Sequence, residues 1–92
     1  SDLRARTGLL PGTVDLRWKP EYGAYYYQVE LSITDPNEGG SWTLAGMTSK
    51  ASFAGTGLAP ATHVWYRVSC LGAGGYVSPY SDPAKGFAAP KQ

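Results

Sequence analysis

The chain has 92 residues, room for one domain with one core. Hydrophobic residues make up 42 % and charged residues only 16 %, and the net charge of +1 comes without a basic run, so the electrostatic footprint of a nucleic-acid binder is missing. No apolar stretch approaches the ~20 residues of a membrane span, so the chain is not expected to be membrane-embedded; a single cysteine, Cys70, excludes an intramolecular disulfide.

Short alternating runs then recur along the chain, separated by turn signals. Asp2–Thr7 alternates, with Leu3 and Ala5 on one face, and Leu10-Pro11-Gly12 turns. In Thr13–Lys19, Val14, Leu16 and Trp18 share one face while Asp15 and Arg17 take the other. Pro20-Glu21-Tyr22-Gly23 breaks that run, and Tyr25–Ser32 follows with Tyr27, Val29 and Leu31 in phase against Tyr26, Gln28 and Glu30. Asp35–Gly40 is a loop. Trp42–Ala45 and Lys50–Thr56 are short strands, the second with Ala51, Phe53 and Gly55 in phase. Leu58–Ala61 turns a corner into Thr62–Leu71, the strongest strand, where Val64, Tyr66, Val68 and Cys70 alternate with Trp65, Arg67 and Ser69. A glycine-rich loop, Gly72–Pro79, leads to Tyr80–Ala88, which Pro83 marks as an edge or bulged strand. Residues 1–2 and 89–92 are expected to be frayed ends or linker. Seven strands with no helix between them require mostly antiparallel sheets, hence an all-β sandwich over 1–92.

The candidate core is Trp18, Tyr27, Val29, Phe53, Leu58, Val64, Tyr66, Val68 and Cys70. The order of its landmarks carries a resemblance. Val14-Asp15-Leu16-Arg17-Trp18 is followed by Tyr27-Gln28-Val29, Gly57–Thr62, Tyr66-Arg67-Val68 and Ser78-Pro79-Tyr80-Ser81. Together these resemble a fibronectin type III domain over nearly the whole chain, most closely the bacterial members. The resemblance implies an immunoglobulin-like sandwich with the first, second and fifth strands facing the others, and Trp18 as core tryptophan. It also favours an extracellular or cell-surface setting. Two departures stand out: Ala61 occupies a position usually given to Gly, and Val64 one usually given to Tyr. That Tyr normally bonds back to the backbone, so its loss costs about 1 kcal/mol. Gly55 stands where a branched apolar residue is common, with Tyr66 and Phe53 available to fill the space.

Nothing assembles into catalytic machinery. His63 is the only histidine and by strand phase points away from the core, whereas Cys70 points into it. Seven residues of strand separate them by about 23 Å on opposite faces, so they form no dyad. Asp35 and Glu38 lack the ligand number of a calcium loop, and no Cys/His cluster offers a zinc site. Gly72, Gly74 and Gly75 precede no helix, so they read as loop residues with positive φ rather than a phosphate cradle. No catalytic residue, metal or cofactor is expected.

The aromatic residues are the anomaly, 13 % of the chain with seven tyrosines. Tyr22 and Tyr25 lie in the loop between the second and third strands, Tyr76 lies in the loop between the sixth and seventh, and Tyr80 stands at its end. In a sandwich of this kind the two loops emerge side by side. The four rings are expected to form one tip, a binding surface or a lid over the core. Tyr26, Trp65 and Arg67 point outward on neighbouring strands and are expected to form a second patch, with Tyr26 and Trp65 stacked. The expected activity is that of a non-catalytic binding or spacer module within a larger bacterial protein, a monomer or weak homodimer, with a protein or carbohydrate partner and no nucleic acid. An accessory domain of a secreted glycoside hydrolase and a self-associating structural module are the alternatives.

Overall fold

The computed structural model describes residues 2–92. Seven strands form two antiparallel sheets: β1 (Arg4–Thr7), β2 (Val14–Arg17), β3 (Ala24–Ser32), β4 (Thr43–Thr48), β5 (Ser52–Gly55), β6 (His63–Gly72) and β7 (Ala84–Phe87). One sheet has the order β1-β2-β5 and the other β4-β3-β6-β7. This is the expected sandwich, with the first, second and fifth strands opposed to the rest.

The period-2 pattern explains the core. Val14, Leu16 and Trp18 of one sheet meet Tyr27, Val29, Val64, Tyr66, Val68 and Cys70 of the other, all at most 5 % exposed. Trp18 packs edge-on against Tyr27, with ring centroids 5.3 Å apart; its indole N–H is buried without a hydrogen-bond partner among the described residues. Phe53 and Leu58 sit at the margin of this core, half-buried rather than enclosed. Tyr66 explains Gly55: a Cβ there would collide with the Tyr66 hydroxyl, so the ring takes the volume a side chain would have filled.

Four sequence expectations are corrected. The fourth strand continues past Ala45 to Thr48, because Gln28 and Tyr27 still offer pairing partners to Met47 and Thr48 beyond a bulge at Val29/Glu30. The seventh begins only at Ala84, since Pro79 and Pro83 have no N–H for a ladder. Gly72 is extended (φ −127°) at the end of β6, whereas Gly74 and Gly75 do take positive φ. Finally, Ala89 is 4 % exposed rather than frayed. Its N–H donates to Thr13 O (3.2 Å) and its carbonyl accepts from Gly12 (2.8 Å), while Ala88 donates to Thr62 O (2.8 Å). The chain thereby crosses from one sheet to the other and closes that end of the sandwich. At the other terminus Asp2 is exposed and bonded to Arg4 (3.2 Å); Ser1 lies outside the described residues.

Candidate functional site

The end of the sandwich carrying the β2–β3 and β6–β7 loops is built from two tight returns. Ala24 N–H donates to Glu21 O (3.2 Å), and Gly23 at φ +83° supplies the left-handed residue of that turn. Tyr22 stands at its crest, and its side chain is fully exposed. In the other loop Gly72 N–H donates to Tyr76 O (2.9 Å), folding the chain back so that the Tyr76 ring lies beside Gly72. A Cβ on Gly72 would stand 3.1 Å from Gly23 O, which shows how closely the two loops approach.

Between Ala24 and Tyr26 the β3–β6 register slips, leaving Tyr25 as an extra residue. A bulge re-aims side chains, and here Tyr25 and Tyr26 are both exposed although adjacent, which strict alternation forbids. Tyr26 lies opposite Leu71, which also bridges to Val77. Tyr22, Tyr25 and Tyr76 therefore share this end, with Tyr26 beside them. No ring contact links them among the described residues.

Beneath the end, Glu21 N–H donates to the Tyr27 hydroxyl (2.9 Å), and the Cys70 thiol donates to the Glu21 carboxylate (2.9 Å). Burial, and then Glu21, push the thiol's pKa up. A protonated, enclosed thiol is a packing group rather than a nucleophile. His63 is exposed and tilts against Phe87, ring centroids 5.1 Å apart. Among the described residues no group of three His, Cys, Asp or Glu is placed to hold a metal ion.

Tyr80 does not belong to the tip. It lies on the outer face of the four-stranded sheet, where its hydroxyl accepts from Gln28 (3.1 Å) and its ring covers Arg67 at 3.9 Å. Trp42 covers Arg67 from another side at 4.4 Å. The guanidinium is also held by Glu30, through Nε at 2.8 Å and through Nη2. A part-buried, charge-assisted pair capped by two rings is a fixed structural unit. Tyr26 and Trp65 do not stack: antiparallel register sets Trp65 opposite Ser32 and Lys85, and Tyr26 opposite Leu71, about 20 Å further along β6. Lys85 reaches over the Trp65 ring instead, at 5.6 Å. Sequence reasoning missed Trp42 and Glu30 as the partners of Arg67. Outward phase on β3 was the available signal for Glu30; the strand expected from Trp42 begins only at Thr43, so strand phase gave no direction for the Trp42 ring.

No protein-family model and no curated protein matches the sequence. Solved structures do. An Fn3-like protein from Clostridium thermocellum is 25 % identical, with a TM-score of 0.79 over 98 % of this chain and 91 % of that one. Titin module A71 from human cardiac muscle is 27 % identical, with a TM-score of 0.69 over 90 % and 86 %. Part of a β-1,2-glucanase from Parabacteroides distasonis shares the fold at 15 % identity, with a TM-score of 0.74 over all of this chain and 12 % of the enzyme.

Proposed function

The chain is a fibronectin type III domain by fold, and from that premise we propose that it is a non-catalytic protein-binding module of a larger bacterial protein, acting through its tyrosine-rich end. The observation that carries this reading is the exposure of Tyr22, Tyr25 and Tyr76 on two abutting loops, with Tyr26 alongside. A tyrosine ring brings large contact area, a hydroxyl for hydrogen bonding and only two side-chain torsions to freeze on binding. Such rings anchor interfaces when they meet a complementary surface. The short returns that carry them limit the further ordering cost.

The test is binding of the purified domain to immobilised protein and glycan panels, set against a Tyr22→Ser/Tyr25→Ser/Tyr76→Ser variant with an unchanged melting profile. The expected result is a protein ligand retained by the wild type and lost by the variant. Ligands retained equally by both would place recognition elsewhere and overturn the reading. The likeness to part of a β-1,2-glucanase favours a second reading, an accessory domain of a glycoside hydrolase. Glycan binding lost in the same variant would select it.

A further inference from the structure

The outward face of the three-stranded sheet is basic, a property no run of the sequence displays. Register sets Arg4 beside Arg17 and Ser52, and Arg6 beside Asp15 and Ala54. Lys19 and Lys50 extend the face where the β2–β5 pairing runs on through Trp18 N–H to Ala51 O (3.1 Å), and both are exposed. Five of the eight basic residues thus gather here with only two of the seven acidic ones, Asp2 and Asp15. Arg6 and Arg17 make no ion pair among the described residues, and Arg4 meets only Asp2 in an exposed, readily exchanged pair. The small side chains of Ser52 and Ala54 leave a shallow trough of about 680 Å³ between the arginines.

We infer that this trough docks an extended acidic peptide segment of a protein partner, on a face separate from the tyrosine-rich end. Charge complementarity gives the sign of the partner. Spacing gives its form: Arg4 and Arg6 are two residues apart on one strand, ~6.7 Å, the repeat of alternate side chains in an extended peptide. A guanidinium fork matches a carboxylate with two parallel hydrogen bonds. Asp15, in the middle of the trough, disfavours an unbroken polyanion but suits a chain in which acidic and neutral residues alternate. The outward positions of this sheet carry no aromatic ring on which a base or sugar could stack.

The test is fluorescence anisotropy with a labelled twelve-residue peptide of alternating glutamate and threonine, beside its glutamine-for-glutamate counterpart. The acidic peptide is expected to bind saturably and more weakly as salt rises, and the glutamine peptide not to bind. An Arg6→Glu/Arg17→Glu variant with an unchanged melt is expected to lose about tenfold or more in affinity. The triple tyrosine variant keeps full affinity, so failure here is distinguishable from failure of the tyrosine-end reading. The inference is overturned by absence of binding, by undiminished binding to the arginine variant, or by tighter binding of a sulfated oligosaccharide. It is equally overturned if sedimentation shows a wild-type dimer that the arginine variant dissolves, since the occupant is then a second copy.

Discussion

Ala61 shows how one residue can carry a measurable cost. It holds φ +58°, the only non-glycine residue with positive φ among those described, at the corner before β6. Its N–H is committed to Ala88 O (3.0 Å), so it cannot relax to an ordinary conformation without breaking the closure of that end. An L-residue in this region costs roughly 1–2 kcal/mol, and the extra freedom of glycine in the unfolded chain returns part of that. Ala61→Gly is therefore expected to stabilise the domain by about 0.5–1 kcal/mol, read from urea midpoints; a destabilised variant would contradict the strain. Titration offers a second test. Burial raises the pKa of Tyr66 above its ordinary 10.0, and burial with Glu21 raises Cys70 above 9.0. Both groups hold their protons more tightly folded than unfolded, so the stability they contribute is full below about pH 9 and is lost as pH rises through their folded values. Urea midpoints from pH 7 to 11 should fall on the alkaline side, and Cys70→Ala should remove the earlier part of the fall. A flat profile to pH 11 would contradict the burial of both groups.

At the scale of elements, the segment Ser78–Ser81 shows how a chain with too few donors can still line a strand. Ser78 N–H donates to Cys70 O (2.9 Å) and its Oγ accepts from Cys70 N–H (2.8 Å). Ser81 repeats the arrangement with Val68, at 2.8 and 3.0 Å. The two hydroxyls take the place of backbone carbonyls around Pro79. Ser81→Ala is expected to leave the Val68 N–H unpaired at a cost of about 1–3 kcal/mol, with faster amide exchange at Val68; unchanged exchange there would contradict the clip. These elements also show what the sequence could disclose. The strands and their inward faces were legible because a half-buried strand must alternate, as Val14, Leu16 and Trp18 do against Asp15 and Arg17. The paired serines were not, since their role depends on the lateral distance to β6. Nor was the bulge at Tyr25, since an inserted residue leaves no mark in the alternation until the partner strand is known, and outward phase alone does not disclose the antiparallel register that sets Tyr26 opposite Leu71 and far from Trp65. Tyr80 was legible at the end of its loop but not as a cover for Arg67, because Trp42 and Glu30 reach that guanidinium, and Gln28 the Tyr80 hydroxyl, from distant parts of the chain.

At the scale of the whole molecule, the sandwich separates its surfaces by chemistry. One sheet presents arginines, the other a guanidinium locked between rings, and one end presents open tyrosines. The separation follows from folding a chain of low charge content: with the inward faces filled by apolar residues, the few charges and surplus rings are sorted by strand phase and register alone. The comparisons agree with this picture at the level of fold, and fold alone does not select a ligand. The proposed binding role requires the tyrosine-rich end to be free surface rather than a lid or a contact between copies. The most direct measurement is tyrosine nitration of the native domain, mapped by mass spectrometry, together with its sedimentation mass. The expected result is a monomer in which Tyr22, Tyr25, Tyr26 and Tyr76 are modified readily while Tyr27 and Tyr66 are spared. Protection of Tyr22, Tyr25 and Tyr76 to the level of Tyr27, in a monomer or in a dimer, would contradict it.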